Sequence, residues 1–213
     1  MSDNIDVLIV RDLGLSEYHP ALERMIHFSQ QRNAQTPDEI WFLEHPPVYT
    51  QGKAGKSHHV LNPGNIPIVQ IDRGGQVTYH GPGQLIAYLL IDVRRKRLGV
   101  RQLVTVMENA IVHVLSQLGI ASKARSDAPG VYVDNAKIAA LGLRIKQGKS
   151  YHGLSFNIDM DLTPFQGINP CGFEGLEVIQ LSDLTRDYSL PSIKQQLVEQ
   201  MKIALNYATV VSE

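Results

Sequence analysis

One sulfur in this chain can do covalent chemistry. Cys171 is the single cysteine among 213 residues and lies in GINPCGFEG, residues 167–175. Gly167, Pro170, Gly172 and Gly175 read as a tight turn rather than the middle of a core element, and loops are where reactive groups are displayed. A lone cysteine also serves as a small buried hydrophobe, so residue type alone does not decide. The nucleophile is the thiolate, and a free thiol with a pKa of roughly 8.5 is mostly protonated at neutral pH. A reactive Cys171 therefore needs a cation or base, and the sequence offers His45, His80, His152 and Lys137. Lys137 heads an alternating strand, and by parity it shares a face with Ala139, Leu141, Leu143 and Ile145. An ammonium on such a face is costly unless paired, and a thiolate beside it satisfies both groups. Lys137 equally follows a turn, where its tip can stay in water.

The densest polar and glycine-rich segment is RGGQVTYHGPGQ, residues 73–84. Gly74, Gly75, Gly81 and Gly83 remove bulk where a ligand could lie against backbone, and Arg73, Gln76, Thr78, Tyr79, His80 and Gln84 supply polar contacts. The bare pattern also fits an ordinary hairpin. ALG at 140–142 and HGLSFN at 152–157 put small residues on the two arms of one expected hairpin, which suits a slot for an aliphatic chain or simply close sheet packing. Other signatures fail. GKAGKS at 52–57 lacks the first glycine of a phosphate loop, because Thr50 stands there. Ile86 occupies the third-glycine position of a dinucleotide fingerprint begun by Gly81 and Gly83. His58 and His59 are adjacent and would diverge on a strand, and one cysteine excludes a multi-thiolate zinc site. No metal is expected.

These residues need a scaffold. Val7 to Val10, Ile40 to Leu43 and Val48 to Thr50 read as short strands, with Pro46 and Pro47 ending the second. Pro20 suits the first turn of a helix carrying Leu22, Met25, Ile26 and Ser29. Residues 67–93 read as a β-meander of Pro67 to Ile71, Gln76 to Tyr79 and Leu85 to Val93. Val100 to Leu118 has Val100, Leu103, Val104, Met107, Ile111, Val114, Leu115 and Leu118 on one helical face, with Gly119 just past its end. Gly130 to Val133, Lys137 to Ile145 and Tyr151 to Ile158 follow as strands, and Pro191 to Leu205 closes as a helix. Hairpins flanked by helices, without regular β–α–β alternation, predict an α+β fold. Nothing divides the chain, so one domain over 1–213 is expected.

Composition excludes several classes. The formal net charge of −1 gives no field to gather nucleic acid. A lone cysteine gives no internal disulfide, the acidic start is the reverse of a secretory signal, and no run approaches a membrane span; a cytoplasmic setting without membrane or nucleic-acid partners is expected. Arg94, Arg95, Lys96 and Arg97, with Arg101, form the only dense basic run: a solvated connection, or a docking patch for an acidic partner.

The chain resembles the lipoyl(octanoyl) transferases along nearly its whole length. EHPPVYTQG at 44–52, RGGQVTYHGPGQL at 73–85, PGVYV at 129–133, KIAALGLRI at 137–145, HGLSFN at 152–157 and INPCG at 168–172 occur in that family's order and spacing. The resemblance implies a mixed, largely antiparallel sheet with flanking helices, as in lipoate and biotin protein ligase catalytic domains. It implies a catalytic pair, Cys171 and Lys137, and transfer of octanoyl from acyl-carrier protein through a Cys171 thioester. The implied acceptors are lysines on lipoyl domains of 2-oxoacid dehydrogenase complexes and on glycine-cleavage H protein, with no cofactor. The family's substrate-binding stretches fall on Arg73, Gly74, Gly75, Gln76, Val77, Thr78, Tyr79 and His80, on Ala140, Leu141 and Gly142, and on Gly153, Leu154 and Ser155. Three rivals keep the same residues: an ATP-dependent ligase, a cysteine hydrolase using His80 or His152, and a non-catalytic lipoyl-domain binder.

Overall fold

The computed structural model describes residues 6–213; residues 1–5, the acidic start of the chain, lie outside them. Strands β1 (Val7–Leu15), β2 (Asp38–Glu44), β6 (Gln84–Leu90), β8 (Gly130–Val133), β9 (Ala136–Lys146) and β10 (Lys149–Asn157) form most of the main sheet, with β7 (Lys123–Ala124) and β11 (Thr209–Ser212) at its edges. The order is β11-β1-β2-β6-β10-β9-β8-β7. β1 pairs in parallel with β11 and β2, and the other pairs are antiparallel. The expected α+β class and mixed, largely antiparallel sheet are what the chain adopts.

The central strands β2 and β6 carry unbroken apolar stretches, Ile40 to Leu43 and Leu85 to Leu90, because both sheet faces are covered. Leu85, Ala87 and Leu89 of β6 face one core, which packs under helices α2 (Val100–Gln117) and α3 (Leu190–Ala204). Ile86, Tyr88 and Leu90 face the other, under α1 (Tyr18–Gln31). α2 buries Leu103, Met107, Ile111, Val114 and Leu115 at helical spacing and ends ahead of Gly119, whose φ of +74° suits a residue without a Cβ. Val100 departs from the expected inward face: it is exposed.

The meander over 67–93 does not form. β4 (Ile68–Gln70) and β5 (Val77–His80) flank β3 (Val48–Gln51) in a separate three-stranded sheet, β4 in parallel. The next strand, β6, crosses into the main sheet between β2 and β10. Glycine punctuation marked the turns correctly, but pairing partners come from distant segments, and local pattern does not carry them.

The basic run is divided. Asp38, fully buried at the start of β2, accepts from Arg32, from the Tyr207 hydroxyl at 2.6 Å and from the Asp92 N–H at 2.7 Å, and forms an ion pair with Arg95 at 2.7 Å. Arg95 is thus an internal strut, and Lys96 lies 3.6 Å over the Tyr207 ring. Only Arg94, Arg97 and Arg101 of the run are exposed. Burial alone would push the Asp38 carboxyl up, but Arg32, Arg95 and Tyr207 outweigh it and hold it below its ordinary value. Its stabilisation is therefore present above the unfolded carboxyl's pKa of about 3.9 and is lost as pH falls through the lower folded value. Asp38→Asn leaves buried guanidiniums unpaired and should cost about 3–5 kcal/mol. Urea unfolding at pH 7 measures this, and a change under about 1 kcal/mol would mean that Asp38 does not hold these elements together.

Candidate active site

Lys137 reaches the cleft because β9 is bulged. Val131 of β8 pairs with Ala139, yet the next residue, Tyr132, pairs with Lys137, so two steps on β9 oppose one on β8. Alternation breaks at the extra residue, Ile138. Ala139, Leu141 and Leu143 pack into the core under α2, while the Lys137 stem runs beneath Gly130, where a Cβ would stand 3.0 Å from Lys137 Cε. The parity reading of Lys137 is corrected accordingly: its ammonium lines the cleft, as do Ala140 and Gly142. Gly130 is itself held from below, its N–H donating to the buried Glu108 of α2 at 3.2 Å.

Cys171 meets this lysine from a separate loop. Lys137 Nζ lies 3.1 Å from Cys171 Sγ across 34 positions of sequence, and also donates to Pro129 O at 3.3 Å. The Tyr132 ring centroid is 5.3 Å away. Lys137 is only 3% exposed, whereas Cys171 is partly open. Burial alone would push the ammonium down, but the facing sulfur anion outweighs it and keeps Lys137 above its ordinary value. The ammonium therefore faces the sulfur as a cation. Cys171 sits in a single 3₁₀ turn, Pro170–Gly172, in left-handed backbone at φ 57°. Such a conformation is uncommon without glycine and clusters at functional sites. The Asn169 N–H donates to His59 O at 2.8 Å, and the loop returns along Lys137, whose N–H donates to Glu177 O at 2.8 Å.

The other proposed partners of the sulfur are engaged elsewhere. His45 bonds Ser16 O and the Tyr88 hydroxyl, both at 2.6 Å; His80 bonds Gln84 at 2.7 Å and Thr50 at 3.2 Å; His152 faces Asp72 at 3.4 Å. Burial pushes His45 down to about 4 and His80 down to about 3. His58 and His59 do not diverge on a strand, because they occupy a 3₁₀ turn with ring centroids 4.2 Å apart. Among the described residues no group of three or more His, Cys, Asp or Glu could hold a metal.

A cavity of about 320 Å³ opens at Cys171 between the main sheet and the small one, within the range of small-ligand sites. The structure brings Arg73, Gly74, Gly75, Gln76, Thr78 and His80 to it, together with Ala140, Leu141, Gly142, Gly153, Leu154 and Ser155. It does not bring Val77 and Tyr79, whose side chains pack with Tyr49, Phe165 and Ile168 on the far side of β5. Strand alternation accounts for this, since Thr78 and His80 take the cavity side. At Gly142 a Cβ would stand 3.0 Å from Arg73 Cδ, so a larger side chain would narrow the slot. Sequence reasoning missed Tyr18 and Tyr88 on the wall and Val100 and Phe173, both exposed, at the rim. Within PGVYV it also gave no role to Pro129, Gly130 and Tyr132, although their position just before Lys137 was a usable signal.

This architecture is that of the lipoate and biotin protein ligases. A bipartite lipoate protein ligase from Thermoplasma acidophilum superimposes with a TM-score of 0.74 at 14% identity, covering 98% of this chain and 86% of that one. Biotin protein ligase from Aquifex aeolicus, in complex with biotin and ATP, gives 0.55 at 12% identity over 93% and 70%. Those likenesses concern fold. Residues 17–202 match the lipoyl protein ligase A/B catalytic domain model. An octanoyltransferase of Pseudomonas entomophila is 56% identical over 95% of this chain and 94% of its own, and one of Vibrio cholerae is 57% identical over the same shares. The chain belongs to the octanoyltransferase branch of the lipoyl protein ligase A/B family.

Lys137→Met removes the ammonium but keeps the stem that Gly130 accommodates. Alkylation of Cys171 by iodoacetamide should then slow at pH 7 and converge with the unsubstituted protein above roughly pH 9, where a free thiol ionises unaided. Equal rates at pH 7 would remove Lys137 from this role.

Proposed function

We propose that this chain transfers an octanoyl group from acyl-carrier protein to lysines of lipoyl domains, in 2-oxoacid dehydrogenase complexes and glycine-cleavage H protein, through a thioester on Cys171. The observation that carries the reading is the 3.1 Å contact between a buried ammonium and the only sulfur nucleophile, beside an apolar cavity of small-molecule size. Membership of the octanoyltransferase family supports the cargo. The lone cysteine suits a reducing, cytoplasmic setting, and no helix among the described residues is long and apolar enough to cross a membrane.

The reaction balances on one proton. The Cys171 thiolate attacks the donor's thioester carbonyl, and the tetrahedral intermediate collapses with loss of the carrier's thiolate. Acylation removes the negative charge that sustained Lys137, while burial, which disfavours the ammonium, persists. Lys137 then gives its proton to the departing sulfur, leaving octanoyl-Cys171 beside a neutral amine. In the second half-reaction the acceptor lysine attacks the new thioester, Lys137 takes its proton, and the amide departs as the thiolate–ammonium pair is restored. Thioester to amide is downhill, so no nucleotide is consumed.

Incubation with octanoyl-carrier protein alone should give a covalent octanoyl adduct by intact-mass spectrometry, discharged only when a lipoyl domain is added, without ATP. Cys171→Ala should give no adduct. An adduct on that variant overturns the assignment; free octanoate without acceptor indicates a hydrolase, and a requirement for ATP indicates a ligase.

A further inference from the structure

Buried guanidiniums ordinarily rest against carboxylates. Arg73 does not. Its Nη2 donates to Thr50 O at 2.7 Å and Thr50 Oγ1 at 2.9 Å, and its Nη1 donates to Gly74 O at 2.9 Å, all uncharged acceptors. The adjacent acid, Asp72, pairs with Arg144 and His152 instead. Beyond Thr50 the contacts continue through His80 Nε2 at 3.2 Å, His80 Nδ1 to Gln84 Oε1 at 2.7 Å, and Gln84 Nε2 to Asn157 Oδ1 at 2.9 Å.

The directions in this chain follow from its ends and from a neutral imidazole. Asn157 Nδ2 faces Ile179 O at 2.9 Å and Gln84 Nε2 faces Tyr79 O at 3.3 Å; a carbonyl only accepts, so both amides present NH₂ there. Gln84 therefore turns its oxygen to His80, whose Nδ1 must carry the proton. At the other end Arg73 only donates, so the Thr50 oxygen accepts from it; with Nδ1 protonated and burial holding the ring neutral, Nε2 is bare and takes the Thr50 hydroxyl proton. Neither ring nitrogen is left to exchange protons with a substrate. The chain ends at Ile179, whose N–H donates to Lys137 O at 3.0 Å, tying the Arg73 wall to the strand of the catalytic pair.

We propose that Thr50, His80, Gln84 and Asn157 are positioning residues that form a one-way relay of neutral hydrogen bonds, holding the Arg73 guanidinium in the acyl cavity with its charge uncancelled. A carboxylate in their place would hold the arginine but neutralise it. Left uncancelled, its charge acts on anionic species formed at Cys171, with which Arg73 is electrostatically coupled. What that charge does in turnover rests on the octanoyl-transfer reading; the relay itself does not.

Two-bond ¹H–¹⁵N correlation spectra of the unliganded protein read the relay directly. His80 should show a protonated Nδ1 and a bare Nε2 throughout pH 5–8. The titratable and charged groups facing the ring are Tyr18 on α1, His45 after β2, Arg73 before β5 and His152 on β10, none of them acidic. A protonated Nε2, or an imidazolium in that range, overturns the proposal whether or not octanoyl transfer occurs. Gln84→Glu then sets a carboxylate against Nδ1 and favours the imidazolium, whose Nε2 donates where it formerly accepted. The rate of octanoyl-Cys171 formation should acquire an acid limb absent from the unsubstituted enzyme, with kcat rather than KM carrying the loss. Gln84→Met should lower that rate about tenfold at every pH, the scale of one net hydrogen bond. If the Gln84→Glu profile superimposes on that of the unsubstituted enzyme, the relay has no positioning role; should the variant fail to fold, the spectra of the unsubstituted protein still decide.

Discussion

An ammonium buried to 3% exposure against a sulfur is the constraint that organises this molecule. Removing such a charge from water costs several kcal/mol unless an opposite charge and hydrogen-bond acceptors replace the lost hydration. The surroundings of Lys137 meet that requirement one group at a time. Gly130 gives up its side chain so that the stem can pass, Pro129 turns its carbonyl to the ammonium, and Tyr132 offers a ring face. The remaining position is filled by Cys171, brought in on a left-handed turn by a loop that then runs back along Lys137. Much of the segment between β10 and α3 is shaped by this meeting.

The same economy of charge extends through the cavity. His80 and His152 on the cavity wall, and His45 packed behind His80, are all pushed toward the neutral form, by burial first of all. That leaves Lys137 and Arg73 as the cations, both facing a site where negative charge gathers during acyl transfer. On the proposed thioester route, a histidine poised as general base would bring a second proton acceptor near Cys171 and open a route to hydrolysis by water. None of the three histidines has that freedom. The shared scaffold does not dictate this arrangement, since lipoate and biotin ligases carry it at 12–14% identity; chemistry is lodged in the side chains placed on it.

Much of the scaffold was legible in the sequence because its signals are local. The 3.6-residue spacing of Leu103, Met107, Ile111 and Val114 marks α2 whatever it packs against, and the uninterrupted apolar run of β6 marks a strand covered on both faces. What escaped depends on partners far along the chain. A single bulge at Ile138 moved Lys137 from the face that parity assigned it to the cleft. The separation of β4 and β5 from β6 into different sheets turns on β3, and the role of Asp38 on Arg32 nearby and on Asp92, Arg95 and Tyr207 from two distant segments. Val77 and Tyr79 are a different case. A period of two within 77–80 already set them opposite Thr78 and His80, so their turn away from the cavity was readable.

His80 shows how a polar residue in a glycine-rich segment acquires its role. On the sequence it could touch substrate, activate the cysteine or brace its loop. Hydrogen-bond capacity decides, without reference to any ligand. An imidazole has two nitrogens, and here one is claimed by an amide oxygen and the other by a hydroxyl whose own oxygen is claimed by a guanidinium. Taking a proton would convert the accepting nitrogen into a donor, forfeit the bond from the Thr50 hydroxyl and place a charge where burial disfavours it. The ring stays neutral because burial disfavours the charge and its neighbours bond the neutral form. The neutrality of His80 and the open charge of Arg73 are thus two ends of one arrangement, written into RGGQVTYHGPGQ at its first residue, its eighth and its last.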